Sequence, residues 1–202
     1  MDYEDDAQDL EDLSPLMHAI VPKLVACRIR EYQPADLEAC IDIYESNMPD
    51  FVSPEGLERY IEFLQIGTSY YLVVEHDGDI VACGGLELVG DSDAATLVHG
   101  MVHGEYHRRG FGTTLLAARL ALLETDDRPV EIWAKVGTEA MPFYGRFGFA
   151  YHAATDGRSR EQASLWLSMD GQDILDTRDA LEERSIRILL NEDEDADDEE
   201  QD

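Results

Sequence analysis

The 202-residue chain carries 45 acidic residues against 15 basic ones, a formal net charge of −30. That balance excludes the basic face that nucleic-acid phosphates need, and no apolar run is long enough for a membrane span. With 44% hydrophobic residues, the length suits one domain with a real core.

The charge is concentrated at the ends. Residues 1–13 hold seven acids and residues 191–202 hold nine, with no Lys or Arg in either stretch. Both stretches are expected to be disordered and solvated. The body keeps an acidic surface with two lysines, Lys23 and Lys135, beside thirteen arginines. Such a surface suits a high-salt cytoplasm, and equally an Arg-preferring genome with solubilising tails. Cys27, Cys40 and Cys83 form no Cys-x-x-Cys spacing and read as reduced core thiols. Nothing at the acidic N-terminus resembles a signal peptide, so the cytoplasm is the expected location.

Residues 14–26 contain a short apolar stretch, Leu16 to Val21, without an assigned role. Cys27 to Arg30 reads as a first strand. Pro34 opens a helix with Leu37, Cys40, Ile41 and Tyr44 at helical spacing. Ser53-Pro54 starts a second helix, about 54 to 65, with Leu57, Tyr60, Ile61 and Leu64 on one face. Strands follow at Tyr70–Glu75 and Asp79–Leu88, joined by the hairpin signal Asp77-Gly78. Gly84-Gly85 inside the second of these suggests a bulge or a close backbone approach. A turn at Gly90 to Asp93 leads into a strand over Thr96–His103.

That strand runs into a basic turn, His107-Arg108-Arg109-Gly110-Phe111-Gly112, and then a helix from Gly112 through Glu124 with a broad Leu/Ala face. A strand-to-helix turn of this kind leaves several backbone N–H groups pointing one way, where the helix dipole favours an anion. No Lys follows either Gly, which excludes a Walker A loop. Leu115 stands where a dinucleotide fingerprint needs its third Gly. Downstream, Val130 to Val136 alternates as a strand. A short helix follows, Thr138-Glu139-Ala140-Met141-Pro142-Phe143-Tyr144, ending in Gly148-Phe149. Phe149 to about Ala154 and Gln162 to Ser168 form a last hairpin, and Asp173 to Ile188 reads as a helix.

The turn resembles motif A of the GNAT superfamily of acyl-CoA-dependent N-acyltransferases, [Gln/Arg]-x-x-Gly-x-[Gly/Ala], with Val102 as the preceding Val. His107 departs from the usual Gln or Arg, and Gly104 replaces a frequent Pro. The downstream segment resembles motif B, with Ala140, Phe143, Tyr144, Gly148 and Phe149 in register. The resemblance covers about residues 27 to 169. It implies an α/β (α+β) GNAT fold: a central mixed, mostly antiparallel sheet flanked by helices, with a splay between the fourth and fifth strands. The expected organisation is an acidic, mostly disordered extension over 1–26, the acyltransferase domain over 27–169, a helical extension over 170–190 and an acidic tail over 191–202.

The resemblance further implies that acetyl-CoA is the co-substrate, with its diphosphate on the backbone of Arg108 to Thr113 beside His107. Gly110, Phe111 and Gly112 would allow the approach, and Arg108 and Arg109 would add charge. Backbone groups of Met101 and Val102 would hold the pantetheine arm and supply the oxyanion donor. Tyr144 would be the general acid that protonates the leaving thiolate, a role a phenol of pKa about 10 suits. His99, His103 and Glu87 are the candidates for a base, beside direct attack by a neutral amine with water carrying the proton. Asn47 and Phe51 fall in the segment that lines the acceptor side. The acceptor is a primary amine of a small molecule or a protein, no metal is implied, and homodimerisation stays open. The rival reading is an acyl-CoA-binding sensor or partner-binding module with little turnover.

Overall fold

A computed structural model describes residues 13–67, 70–88, 94–124, 129–135, 138–152 and 162–191. The acidic stretches 1–12 and 192–202 and the turn at Gly90 to Asp93 lie outside the described residues.

One eight-stranded sheet organises the chain, in the order β6-β7-β5-β4-β3-β2-β1-β8. Its strands are β1 (Arg28–Glu31), β2 (Tyr70–His76), β3 (Asp79–Leu88), β4 (Ala95–Val102), β5 (Val130–Lys135), β6 (Ala150–His152), β7 (Gln162–Leu167) and β8 (Ile188–Leu189). Pairing is antiparallel except for β4 with β5 and β1 with β8. The sheet is thus mixed and mostly antiparallel, as the resemblance implied.

Helices α2 (Leu37–Ser46) and α3 (Leu57–Ile66) cover one face. Cys40, Ile43, Tyr44, Tyr60 and Leu64 pack there on Tyr71, Val73, Cys83 and Met101. The start of α2 is fixed by Arg30, whose guanidinium donates to both Asp36 oxygens at 2.7 and 2.8 Å. Burial raises the Asp36 pKa, but the Arg30 hydrogen bonds and charge leave it below the ordinary carboxylate value.

The other face carries α4 (Phe111–Ala121), which is buried almost all round. A helix apolar on every side needs a second covering layer. Two elements outside the expected domain supply it: α1 (Pro15–Ile20) and α6 (Gly171–Glu183). Ser14 caps α1 through the Met17 N–H at 3.3 Å, and Leu16, Met17 and Ile20 are buried. Each such side chain contributes about 1.5–3 kcal/mol. The apolar stretch of residues 14–26 is therefore core. Beyond α6, bounded by an Asp170/Asp173 capping box, the expected single helix gives way to a turn and β8. Arg178 of α6 donates to Ala121 O at 2.8 Å and Leu123 O at 2.6 Å, the orphan carbonyls at the end of α4.

The N-terminal segment also seats on the turn before α4. Val25 N–H donates to Thr114 Oγ1 at 2.9 Å. Gly110 has φ +101°, and a Cβ there would meet Val25 and sit 2.6 Å from Lys23 O. Packing on residues 23–25 as well as backbone conformation demands glycine. Gly110→Ala is expected to lower the unfolding free energy by about 2–4 kcal/mol in a urea titration. Gly112→Ala, whose methyl meets Phe143 and Val102 at an ordinary 3.5 Å, is expected to stay within about 1 kcal/mol of wild type. An unchanged midpoint for Gly110→Ala would mean that residues 23–25 are not seated on the turn in solution.

Candidate active site

Strand β4 has β3 beside it throughout but meets β5 at only three positions, Ala95↔Val130, Thr96↔Glu131 and Leu97↔Ile132. From Val98 onward the two strands diverge, so the splay lies where the resemblance placed it. Directly after the divergence β4 carries a bulge. Gly85 opposes Val98 and Cys83 opposes Met101, so Gly84 faces both His99 and Gly100. His99 takes φ +45° to make it.

Past the bulge the register is regular. His103 N–H donates to Val81 O at 2.9 Å, so by antiparallel alternation the Val102 peptide groups face away from β3, into the gap. The Val102 carbonyl accepts from Asn47 Nδ2 at 2.9 Å and from His107 Nε2 at 2.8 Å. No acceptor for the Val102 N–H occurs among the described residues.

His107, the departure from motif A, is thus accounted for: its imidazole ties the turn to the end of β4. Phe51 packs edge-on against that ring at 5.4 Å. Asn47 is buried and also donates to Ile43 O at 2.7 Å. Both residues expected on the acceptor side converge on this tether.

The turn itself places Arg108 at φ +60° and Gly110 at φ +101°. Arg108 and Arg109 are exposed, with the Arg109 guanidinium over the Tyr106 ring at 5.1 Å. Backbone N–H groups of Arg108 through Gly112 have no acceptor among the described residues. Thr113 and Thr114 N–H both donate to Gly110 O, at 2.9 and 3.0 Å. The free donors therefore end one residue earlier than the expected Arg108–Thr113 cradle, and the buried Thr113 is occupied internally. Free N–H groups at a helix start beside two exposed arginines fit a diphosphate.

Helix α5 (Ala140–Gly145) brings the second motif to the first. The Phe143 ring lies 3.5 Å from the position of a Gly112 Cβ, as does Val102 Cγ2. Tyr144 is buried, with Phe143 and Phe149 against its ring at 5.0 and 5.3 Å. Its hydroxyl has no hydrogen-bond partner among the described residues.

The three base candidates separate. His103 Nδ1 accepts from Glu105 N–H at 3.3 Å and Nε2 lies 3.5 Å from an Asp42 oxygen, so both ring nitrogens are engaged within the protein. Glu87 opposes Thr96, at the far end of β4 from the bulge. His99 sits in the bulge, its ring against Tyr60 and Phe63 at 5.2 and 4.6 Å and its outer edge exposed. Desolvation by its aromatic neighbours holds its pKa below the ordinary histidine value. Tyr71 OH donates to His99 O at 3.3 Å, and Tyr60 OH lies 2.8 Å from Tyr71 OH. Burial keeps both phenols protonated.

One residue at the site escaped the sequence reading. Arg119, on the apolar helix four residues after Leu115, is only 1% exposed and lies beneath the bulge. The available signal was an Arg inside an apolar helix together with glycines in the facing strands. No group of three or more side chains suited to a metal occurs among the described residues, and none of their helices is long and apolar enough to cross a membrane.

The family model "Acetyltransferase (GNAT) family" matches residues 40–149, more than half of the chain. A putative [ribosomal protein bS18]-alanine N-acetyltransferase of Bacillus subtilis is 30% identical over 115 residues, 55% of this chain and 75% of that relative. The crystal structure of the ribosomal-protein-S18-alanine N-acetyltransferase of Escherichia coli superposes with a TM-score of 0.57 at 21% identity, covering 72% of this chain and 95% of that one. The PaiA N-acetyltransferase of Thermoplasma acidophilum, solved in complex with coenzyme A, gives 0.54 at 15% identity over 72% and 100%. With both motifs joined at one splayed strand and the matched segment spanning them, the chain belongs to the GNAT family of acetyltransferases.

Proposed function

We propose that the protein transfers an acetyl group from acetyl-CoA to the α-amine of a polypeptide N-terminus by direct attack in a ternary complex. The observation that carries this reading is the unpaired Val102 N–H, open to a gap that leads to the free N–H groups of Arg108 to Gly112. Those groups, with Arg108 and Arg109, would hold the diphosphate. Met101 and Val102 would run beside the pantetheine arm, and Val102 N–H would take the developing oxyanion.

The amine nitrogen attacks the thioester carbon and the C–S bond breaks. Tyr144, whose hydroxyl has no hydrogen-bond partner among the described residues, gives its proton to the departing thiolate. His99, at the bulge and with no ring nitrogen hydrogen-bonded among the described residues, takes the amine's proton.

The preference for an α-amine rests on acidity as well as on the relatives named for ribosomal-protein alanine. At pH 7 an N-terminal amine is neutral in about one molecule in ten, a lysine side chain in about one in 2,500. A histidine of depressed pKa is a weak base, sufficient for the first and poorly matched to the second. A peptide with a free N-terminal Ala is therefore expected to release CoA, and the same peptide with a blocked N-terminus and an internal Lys is not. Equal rates would overturn the acceptor assignment.

Tyr144→Phe is expected to lower kcat about 10²-fold while acetyl-CoA affinity by calorimetry stays within about twofold. An unchanged kcat removes Tyr144 as the acid. His99 must be deprotonated to act, so its depressed pKa puts its limb of the pH–rate profile on the acid side, below the ordinary histidine value. Wild-type turnover at constant neutral-amine concentration is expected to be level between about pH 7 and 8, to fall on acidification as His99 protonates, and to fall again at high pH once the acid is deprotonated. His99→Gln is expected to be about tenfold slower with that acid limb gone, and persistence of the limb would assign it elsewhere.

A further inference from the structure

Arg119 is the one buried side-chain nitrogen group without full partnership among the described residues. Its Nε donates to Leu115 O at 3.3 Å within its own helix, and its Nη1 has no partner. No carboxylate lies within ion-pair distance of it among the described residues. A buried charge without a counter-charge is unfavourable, and an apolar residue of similar volume is usually as good or better for stability. The surrounding sequence nevertheless makes room for it. A Cβ on Gly100 would lie 2.8 and 2.9 Å from its two terminal nitrogens, and one on Gly84 would lie 3.2 Å from Nη1. Those glycines are the two sides of the β4 bulge, so the guanidinium is pressed against the backbone immediately before Met101 and Val102.

We infer that Arg119 is a positioning residue for acetyl transfer: its guanidinium fixes the bulge from below and holds positive potential under the strand whose Val102 N–H faces the thioester oxygen. The inference rests on the acetyl-transfer reading and deepens it. Arg119 has no carboxylate partner among the described residues, and its charge acts within the protein on the buried Cys83 thiol. The negative charge that develops on that oxygen as the amine adds would complement it until the C–S bond breaks. A fixed cation there acts on the transition state more than on the bound thioester, because the negative charge it faces is larger in the transition state. Tyr71 holds the opposite side of the same bulge through His99 O, so the strand is clamped between a phenol on one face and a cation on the other.

The test compares full-length wild type, Arg119→Met and Arg119→Lys. Acetyl-CoA labelled with ¹³C at the thioester carbonyl reports polarisation directly by infrared difference spectroscopy. Wild type is expected to lower the carbonyl frequency relative to free acetyl-CoA, Arg119→Met to lose most of that shift, and Arg119→Lys to keep part of it. In turnover, Arg119→Met is expected to lower kcat about 10- to 100-fold, with KM for acetyl-CoA within about threefold and partial recovery in Arg119→Lys. Its urea midpoint is expected to equal or exceed wild type, because an unpaired buried charge has gone.

A Met variant with wild-type kcat and carbonyl shift overturns the inference. So does one whose kcat falls only in step with a lower urea midpoint, or one that fails to fold while Arg119→Lys matches no wild-type property, since either assigns Arg119 to the fold. Wild type that binds acetyl-CoA with a shifted carbonyl but acetylates no amine sinks the transfer reading alone, and the infrared comparison still decides Arg119. Failure of wild type to bind acetyl-CoA sinks both.

Discussion

Strand β4 keeps a neighbour on one side for its whole length and loses the other after Leu97, and the residues around it are arranged to hold it in place without that second ladder. Backbone groups withdrawn from a sheet have to be satisfied by side chains, water or ligand. The carbonyl of Val102 is satisfied by Asn47 and His107, which come from opposite directions along the chain. The N–H has no acceptor among the described residues. The bulge that starts the free segment is gripped by Tyr71 on one face and Arg119 on the other. The Val102 N–H and C=O belong to neighbouring peptide units of one residue, and the pairing of Met101 and His103 with β3 on either side turns both toward the gap.

Local signals were legible and long-range ones were not. The hairpin at Asp77-Gly78, the turn at Gly110 and Gly112 and the helix end at Gly148 are each specified within a few residues, and each lies where the sequence put it. Leu16, Met17 and Ile20 carried no interpretable period, because six helical residues make fewer than two turns. Their role depends on α6, some 160 residues away, where Thr177 Oγ1 lies 3.4 Å from Met17 Sδ. Asn47 and Phe51 look like loop residues open to a substrate, and only the fold shows them turned toward the end of β4. The glycine pair Gly84-Gly85 signalled a bulge, and the bulge falls there, with Val98 and Met101 opposite Gly85 and Cys83.

The rival reading, a binding module with little turnover, drew on His107 in place of the usual Gln or Arg. An imidazole that donates to a carbonyl at 2.8 Å supplies a hydrogen bond from a side chain of the same reach. The substitution alters the tether's chemistry and leaves the backbone donors of the turn untouched, so it carries little weight against catalysis.

The ends of the sheet have a consequence of a different kind. β8 lies beside β1 over two residues, and β6 at the other margin has three. Long open margins invite a neighbouring chain to extend the ladder, and short ones offer too few free groups to template it. Within the described residues, then, a highly charged molecule with a broad sheet ends in two blunt rims.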